Sequence, residues 1–409
     1  MARDNIVVGL DISSTKVITS VGKYEEGVLD IIGLGKSANQ GMRKGMIVDI
    51  EETVSAISAS LEEAERMAGI PLRGTTIGID GAHIESEDSK GVIAVSRADG
   101  EIAEDDVTRV VEAARAIPNK PNREVLHVIP KTFIIDGQDG IKDPIGMSGI
   151  RLEVDAHIIS TSTTAMKNLQ RSVEQSGLNI NDVVFTPLAT SKALLSKRQM
   201  EIGVILIDIG SAVTTFSVYE EGDLISCGIV PIGSSHITND LAIGLRTNLD
   251  VAEILKLKHG FALPERVSEK EEVRLSTIDK NEDGAASTKY ISEIIEARLN
   301  EILLIIQEKL QLAGKDGTLP AGVILSGGGS KLEGIIELTK ETLRLPAQIG
   351  TPIFEISGLV DKLDDPVYST SIGLMLWDRE TAGSTSAISS QSLNGILDKA
   401  KGLFKQFLP

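Results

Sequence analysis

Two stretches of this 409-residue chain follow one pattern. Residues 7–27 read VVGLDISSTKVITSVGKYEEG, and residues 204–222 read VILIDIGSAVTTFSVYEEG. In each, an apolar strand ends in Asp-Ile and a small-residue turn follows. A second strand returns with alternating apolar positions, and a Glu-Glu-Gly turn closes the unit. Aligning Asp11 with Asp208 needs a gap of two residues before EEG. A duplication about half the chain apart predicts two related halves facing a shared cleft. The competing reading is two unrelated hairpins with acidic turns.

The turns have a definite chemistry. Each strand carries its aspartate to its carboxyl end. Small residues, Gly210 and Ser211 in the second turn, then let backbone N–H groups approach a phosphate, with the hydroxyls of Ser13, Ser14 and Thr15 as further donors in the first. A carboxylate beside a phosphate makes sense only through a divalent cation. Asp11 and Asp208 are therefore candidate partners of Mg2+, whose remaining ligands are waters. Lys16 either supplies a point charge to the phosphates or is a solvated turn lysine. A third element, VILSGGGSKLEG (323–334), is a strand running into Gly327, Gly328, Gly329 and Ser330, with a helix expected near Lys331 and Leu332. Its glycines permit a close backbone approach, against which an adenine ring can slide. In a fourth, VAEILKLKHG (251–260), Glu253 and Lys256 share a helical face. They either reach a ribose and base or form an ordinary intrahelical ion pair.

Other chemistries are disfavoured. A formal net charge of −18 argues against a nucleic-acid partner. The five histidines are scattered without metal-ligand spacing, and the single cysteine, Cys227, excludes an internal disulfide framework and fits a reducing compartment. No apolar run is long enough to span a bilayer.

Together these elements resemble the actin-like ATPase superfamily, and within it the FtsA family of bacterial cell-division proteins. DISSTK looks like the first phosphate loop, DIGSAVTT the second and SGGGSKLEG the adenosine motif, while PLATSKALL (187–195) and DPVYSTSIGLMLW (365–377) resemble the connecting helices. The resemblance to FtsA rests on an insertion between TIGIDGAHIES and HIISTSTTAM, on the Lys258-His259-Gly260 ending of the nucleoside helix, and on the tail. It implies an α/β, actin-like (ribonuclease H-like) duplicated two-lobed fold. The first lobe takes 1–83 and 163–200, with an inserted α+β subdomain at 84–162. The second takes 201–245 and 315–378, with a small subdomain at 246–314. A flexible linker, 379–392, then leads to an amphipathic helix at 393–409.

The resemblance further implies that ATP and Mg2+ are bound and that the chain polymerises into an actin-like filament. It also implies that the second lobe's small subdomain receives the FtsZ C-terminal peptide, and that later division proteins are recruited at the septum, on the cytoplasmic side of the cell membrane. This sequence departs from the superfamily pattern at Ser13, at Ser211-Ala212, and at Thr186, just before Pro187, where a Glu or Gln positions the attacking water. A threonine hydroxyl is no general base at neutral pH. Hydrolysis is therefore expected to be slow or absent, with Asp208 the weak candidate for a catalytic role. Rival readings are an FtsA-like ATP-binding scaffold of type IV pilus assembly, a small-molecule kinase of the same superfamily, and a rod-shape actin such as MreB.

The tail SLNGILDKAKGLFKQFLP is basic at the end of an acidic chain. Ile396, Leu397, Leu403, Phe404, Phe407 and Leu408 fall at helical spacing, with Lys399, Lys401 and Lys405 on the polar side. Such a helix can lie in the interface of an anionic membrane, apolar side down; docking on its own domain is the alternative. About 1 kcal/mol per lysine near the surface is set against ordering a short helix weakened by Gly395 and Gly402. A single copy should bind weakly, and a polymer of many copies strongly.

Overall fold

The computed structural model describes residues 6–25, 28–116, 120–353, 356–358 and 364–384. The amphipathic tail and most of the expected linker lie outside these residues.

The first lobe begins with β1 (Ile6–Ile12), β2 (Lys16–Glu25) and β3 (Val28–Ala38), then a short hairpin, β4 (Met42–Arg43) and β5 (Met46–Ile47), helix α1 (Ile50–Ala68) and β6 (Gly74–Ile79). The insertion follows as β7 (Glu85–Ala94), α2 (Glu104–Ala116), β8 (Arg123–Ile135), β9 (Gln138–Ile141) and β10 (Arg151–Ser162). The lobe closes with α3 (Thr163–Gln175), β11 (Asn179–Phe185) and α4 (Thr186–Leu194). After α5 (Lys197–Ile202), the second lobe repeats the plan with β12 (Val204–Ile209), β13 (Thr214–Glu220), β14 (Asp223–Val230) and α6 (Ser234–Leu245). Next come α7 (Leu249–His259), a hairpin of β15 (Glu272–Arg274) and β16 (Ala285–Ser287), and α8 (Thr288–Leu312). The chain then runs through β17 (Gly322–Ser326), α9 (Ile335–Leu343), β18 (Ala347–Ile349), β19 (Ile356–Gly358) and α10 (Ser369–Ser384).

The duplication seen in two hairpins extends through both sheets. The first is ordered β3-β2-β1-β6-β11, with β19 added outside β3; the second is ordered β14-β13-β12-β17-β18. In each, the hairpin strands are antiparallel, and the strand beside the aspartate strand runs parallel to it: β6 to β1, β17 to β12. The motif VILIDI is almost continuously apolar because β12 is buried on both faces. Val204 and Leu206 join the core that fills the first lobe, while Ile205, Ile207 and Ile209 join the second-lobe core with α6, α7, α8 and α9.

Helices α4 and α10 lie between the two sheets. Nearly every α4 residue is buried, including Leu188, Ala189, Thr190 and Ser191. Gly373 of α10 is so close to α4 that a Cβ there would sit 1.9 Å from the Ala189 carbonyl oxygen. Buried hydroxyl pairs tie the layers together: Thr190 to Thr370 at 3.0 Å, Ser191 to Ser217 at 2.8 Å and Ser20 to Ser371 at 2.7 Å. Trp377 donates to Asp182 at 3.2 Å.

Two boundaries differ from the sequence reading. The linker expected from residue 379 does not start there, because α10 continues to Ser384. Glu380, Thr381 and Ala382 contain no helix breaker, and composition alone mistook a helix end for a disordered run. The helix expected near Lys331 begins instead at Ile335. A 3-10 turn spans Gly328–Lys331, Leu332 is extended, and Gly334 at φ +83° precedes the first helical residue.

The insertion forms a sheet of order β7-β10-β8-β9 covered by α2, with its own apolar cluster. It reaches the second lobe where Ser86 donates to the Cys227 carbonyl at 2.8 Å and Lys142 pairs with Asp223 at 3.2 Å. The small subdomain formed by α7, the β15–β16 hairpin and α8 shares one apolar core with the second sheet.

Candidate functional site

The two aspartates sit one residue before the ends of equivalent strands. Asp11 faces Ile18 across its hairpin, and Asp208 faces Thr215 across the other. The turns close identically: the Ser13 N–H donates to the Lys16 carbonyl at 2.9 Å, and the Gly210 N–H to the Val213 carbonyl at 3.0 Å. Lys16 and Val213 thus occupy matching places, so one turn carries a cation and the other does not.

The hydroxyls are not equally free. Ser13 spends its hydroxyl on the Lys16 carbonyl at 2.9 Å, and Ser14 accepts from the Gly45 N–H at 3.1 Å. Thr15 is exposed. The second turn is pinned from outside. The Ser234 and Ser235 N–H groups, at the start of α6, donate to the Gly210 and Ser211 carbonyls, each at 2.9 Å.

Glycine is demanded at position 327. Its φ is +80°, and a Cβ there would stand 2.5 Å from Asp208 Oδ1. Gly329 is buried against Ile209, and Ser330 turns its hydroxyl inward to the Gly327 carbonyl at 2.8 Å. Gly328 is the exposed member of the loop, and a Cβ there would lie 3.7 Å from Lys16 Nζ. A first-lobe ammonium and a second-lobe glycine loop therefore meet across one crevice.

Glu253 and Lys256 do form an intrahelical pair, at 2.6 Å. The pair is nevertheless part of a larger network. Lys256 is buried and donates to Thr238 at 2.9 Å and to the Ser234 carbonyl at 3.3 Å, while Thr238 donates to Glu253 at 2.5 Å. Because Ser234 also binds the Gly210 carbonyl, Lys256 stands one residue's length from the second turn.

A residue the sequence reading missed joins the site. Asp80 follows β6, the strand whose second-lobe counterpart, β17, leads into the glycine loop. Its carboxylate accepts from the Thr186 hydroxyl at 3.2 Å. Burial pushes Asp11 up to about 7, with further upward pressure from Asp80 and Asp208 against the opposing pull of Lys16. Burial likewise raises Asp208 to about 6, opposed by the Ser326 hydroxyl and Lys16. Asp80 rises to about 6 through burial and then the Asp208 charge. Burial lowers Lys16, and Asp11 opposes that shift.

Three carboxylates, Asp11 buried and Asp80 and Asp208 half-buried, against one ammonium make a crevice that favours an added cation. Among the described residues, no three His, Cys, Asp or Glu side chains are placed to hold a metal by themselves. Asp11 and Asp208 are the turn carboxylates that could hold a cation through its water shell. Also among the described residues, no helix is long and apolar enough to cross a membrane.

Comparison with known proteins agrees with this architecture. Residues 81–160 match the family model described as the SHS2 domain inserted in FTSA, and residues 205–373 match that of cell division protein FtsA. The chain is 33% identical to cell division protein FtsA of Pseudomonas aeruginosa, over 97% of this chain and 95% of that protein. It is 40% identical to FtsA of Bacillus subtilis, over 92% of this chain and 84% of that one. Among solved structures, a PilM-PilN type IV pilus biogenesis complex superposes with a TM-score of 0.69 at 16% identity, covering 91% of this chain and 98% of that one. MreB5 of Spiroplasma citri bound to ADP gives 0.55 at 12%, covering 94% and 99%. These two likenesses speak for the actin-like fold, whereas the sequence relationships fix the lineage: the chain is a member of the FtsA family of cell division proteins.

Proposed function

We propose that this chain binds Mg–ATP between its lobes, polymerises in an actin-like manner, and ties the FtsZ ring to the cytoplasmic face of the cell membrane at the septum. The observation that carries the nucleotide reading is the meeting of Asp11, Lys16, Asp208 and Gly328 in one crevice between duplicated lobes. Backbone N–H groups of the two turns and the Lys16 ammonium would receive the phosphates. Asp11 and Asp208 would hold the cation's water shell, which supplies charge neutralisation at the phosphates. The glycine loop and the Glu253–Lys256 network would flank the nucleoside. The fold neighbour MreB5, described as bound to ADP, is consistent with this assignment.

Nucleotide held in both lobes fixes their relative placement, and a fixed placement is what a polymer contact selects. On this reading ATP is a switch for assembly, and the FtsZ C-terminal peptide is received by the small subdomain of α7 and α8. Later division proteins are recruited to the same assembly. The membrane contact is assigned to residues 393–409. The rival kinase and pilus-scaffold readings leave that amphipathic tail without a purpose.

Two measurements test this reading. Phosphate release by the purified chain on anionic vesicles should stay well below about 1 s⁻¹, the low end of ordinary enzyme turnover; faster release refutes a switch. Replacing Phe404 and Phe407 by glutamate should leave Mg–ATP affinity unchanged and reduce co-sedimentation with anionic vesicles by at least tenfold. Burial of two phenylalanines contributes several kcal/mol to such an anchor. Undiminished sedimentation would assign the anchor elsewhere.

A further inference from the structure

Asp80 is the carboxylate in the crevice that belongs to neither phosphate turn. It sits on the loop directly after β6, beside the strand that carries Asp11, and its charge reaches both Asp11 and Asp208. The Thr186 hydroxyl donates to one of its oxygens at 3.2 Å. Thr186 is itself buried as the first residue of α4, and its carbonyl accepts from Thr190 at 2.9 Å. That helix is locked between the sheets, so the Thr186 hydroxyl is a fixed point that aims Asp80. Gly78, two residues earlier, has no side chain to occupy the space where the Thr186 methyl stands, since a Cβ there would meet it at 2.9 Å. The strand end, the helix start and the carboxylate therefore form one rigid unit beside the Asp11 strand.

Resting on the nucleotide reading above, we propose that Asp80 is the general base for the slow hydrolysis of the bound nucleoside triphosphate, with Thr186 as its positioning residue. Asp80 takes a proton from a water as that water's oxygen forms a bond to the γ-phosphorus. The bond from that phosphorus to the β–γ bridging oxygen breaks, and the electron pair leaves with the nucleoside diphosphate. The proton then passes from Asp80 to bulk water. Two other features fit the assignment. Asp11 and Asp208 are assigned above to the cation's water shell, whereas Asp80 belongs to neither turn while its charge reaches both of them. Its raised proton affinity, near 6, suits a base working close to neutrality.

The experiment compares the full chain with its Asp80→Asn and Thr186→Val variants. Mg–ATP affinity is measured by equilibrium titration and phosphate release by single turnover, both across pH 5–8.5. Asp80→Asn should bind Mg–ATP within about threefold of the parent and release phosphate roughly 100-fold more slowly, in the range a general base contributes. The parent's rate should rise with pH as Asp80 ionises, and the variant's should be flat. Thr186→Val should lower the rate about fivefold to tenfold at unchanged affinity while keeping the pH rise. Phosphate release unaltered in Asp80→Asn overturns the proposal. So does a tenfold or greater loss of affinity, which would assign Asp80 to the cation. A parent that binds Mg–ATP and never releases phosphate sinks the base role and leaves the nucleotide reading standing. A parent that binds no nucleotide sinks that reading first.

Discussion

Asp208→Asn should make the nucleotide-free protein more stable at pH 8 and, at the same time, unable to hold Mg–ATP. The opposite signs follow from one cause. The Asp208 carboxyl is raised from an unfolded value of 3.8 to about 6, so the native state binds more protons than the unfolded state between those values. Stability contributed by this group is full below pH 4 and is lost as pH rises through about 6. Asparagine keeps an acceptor for the Ser326 hydroxyl but carries no charge to desolvate. It also relieves Asp80, whose main charge repulsion is Asp208, and Asp11. The expected gain is on the order of 2–3 kcal/mol above pH 7, shrinking towards zero at pH 4, since one pH unit corresponds to about 1.4 kcal/mol. Mg–ATP affinity should fall by about two orders of magnitude or more, because one side of the cation's water shell loses its anionic acceptor. Thermal melts of parent and variant across pH, each with and without Mg–ATP, separate the two effects. A variant that is destabilised when nucleotide-free and still stabilised by Mg–ATP would remove Asp208 from the site.

The same carboxylates show what was legible in the sequence. Asp11 and Asp208 were readable because each lies in a hairpin with a copy elsewhere in the chain, and the copies agree in turn length and register. Asp80 was not. Its surroundings, TTIGIDGAH, read as a strand ending in an ordinary Asp-Gly turn. The available signal was the duplication itself, carried one strand further. β6 is the counterpart of β17, so whatever follows β6 must face the crevice as the glycine loop does. Glu253 and Lys256 were legible in part. Helical spacing correctly paired them, but spacing is silent on Thr238 and Ser234, which sit on another helix and bind Lys256 through the tertiary fold. Boundaries were weakest where composition stood in for structure. Thr381 to Ser384 resembles linker, yet it continues a helix begun at Ser369. The order of both sheets came from the family resemblance and not from the residues, because parallel partners are chosen by long-range burial rather than by local pattern.

Gly373→Ala should cost several kcal/mol, far more than an exposed glycine-to-alanine change, which in a helix is normally favourable by up to about 1 kcal/mol. Gly373 lies within α10, where alanine has the better intrinsic propensity, so local preference and tertiary packing pull in opposite directions. Packing wins because the contact is backbone to backbone. The added Cβ would stand 1.9 Å from the Ala189 carbonyl oxygen and 3.1 Å from the Thr190 nitrogen. No rotamer change relieves an overlap with main chain, so α10 must move away from α4 by more than 1 Å. That movement opens the Thr190–Thr370 hydroxyl pair and loosens Ile372 and Leu374, both fully buried. Overpacking a core by one carbon usually costs about 1–3 kcal/mol, and unpairing a buried hydroxyl adds roughly 1 kcal/mol or more. Because α4 begins at Thr186 and α10 packs on both α4 and the Asp11 strand, the damage should reach the crevice as well. Mg–ATP should protect Gly373→Ala against heat less than it protects the parent. Denaturant unfolding, with and without Mg–ATP, measures both quantities. A loss below about 1 kcal/mol would mean that the two helices are not packed at the separation on which the placement of Thr186 and Asp80 depends.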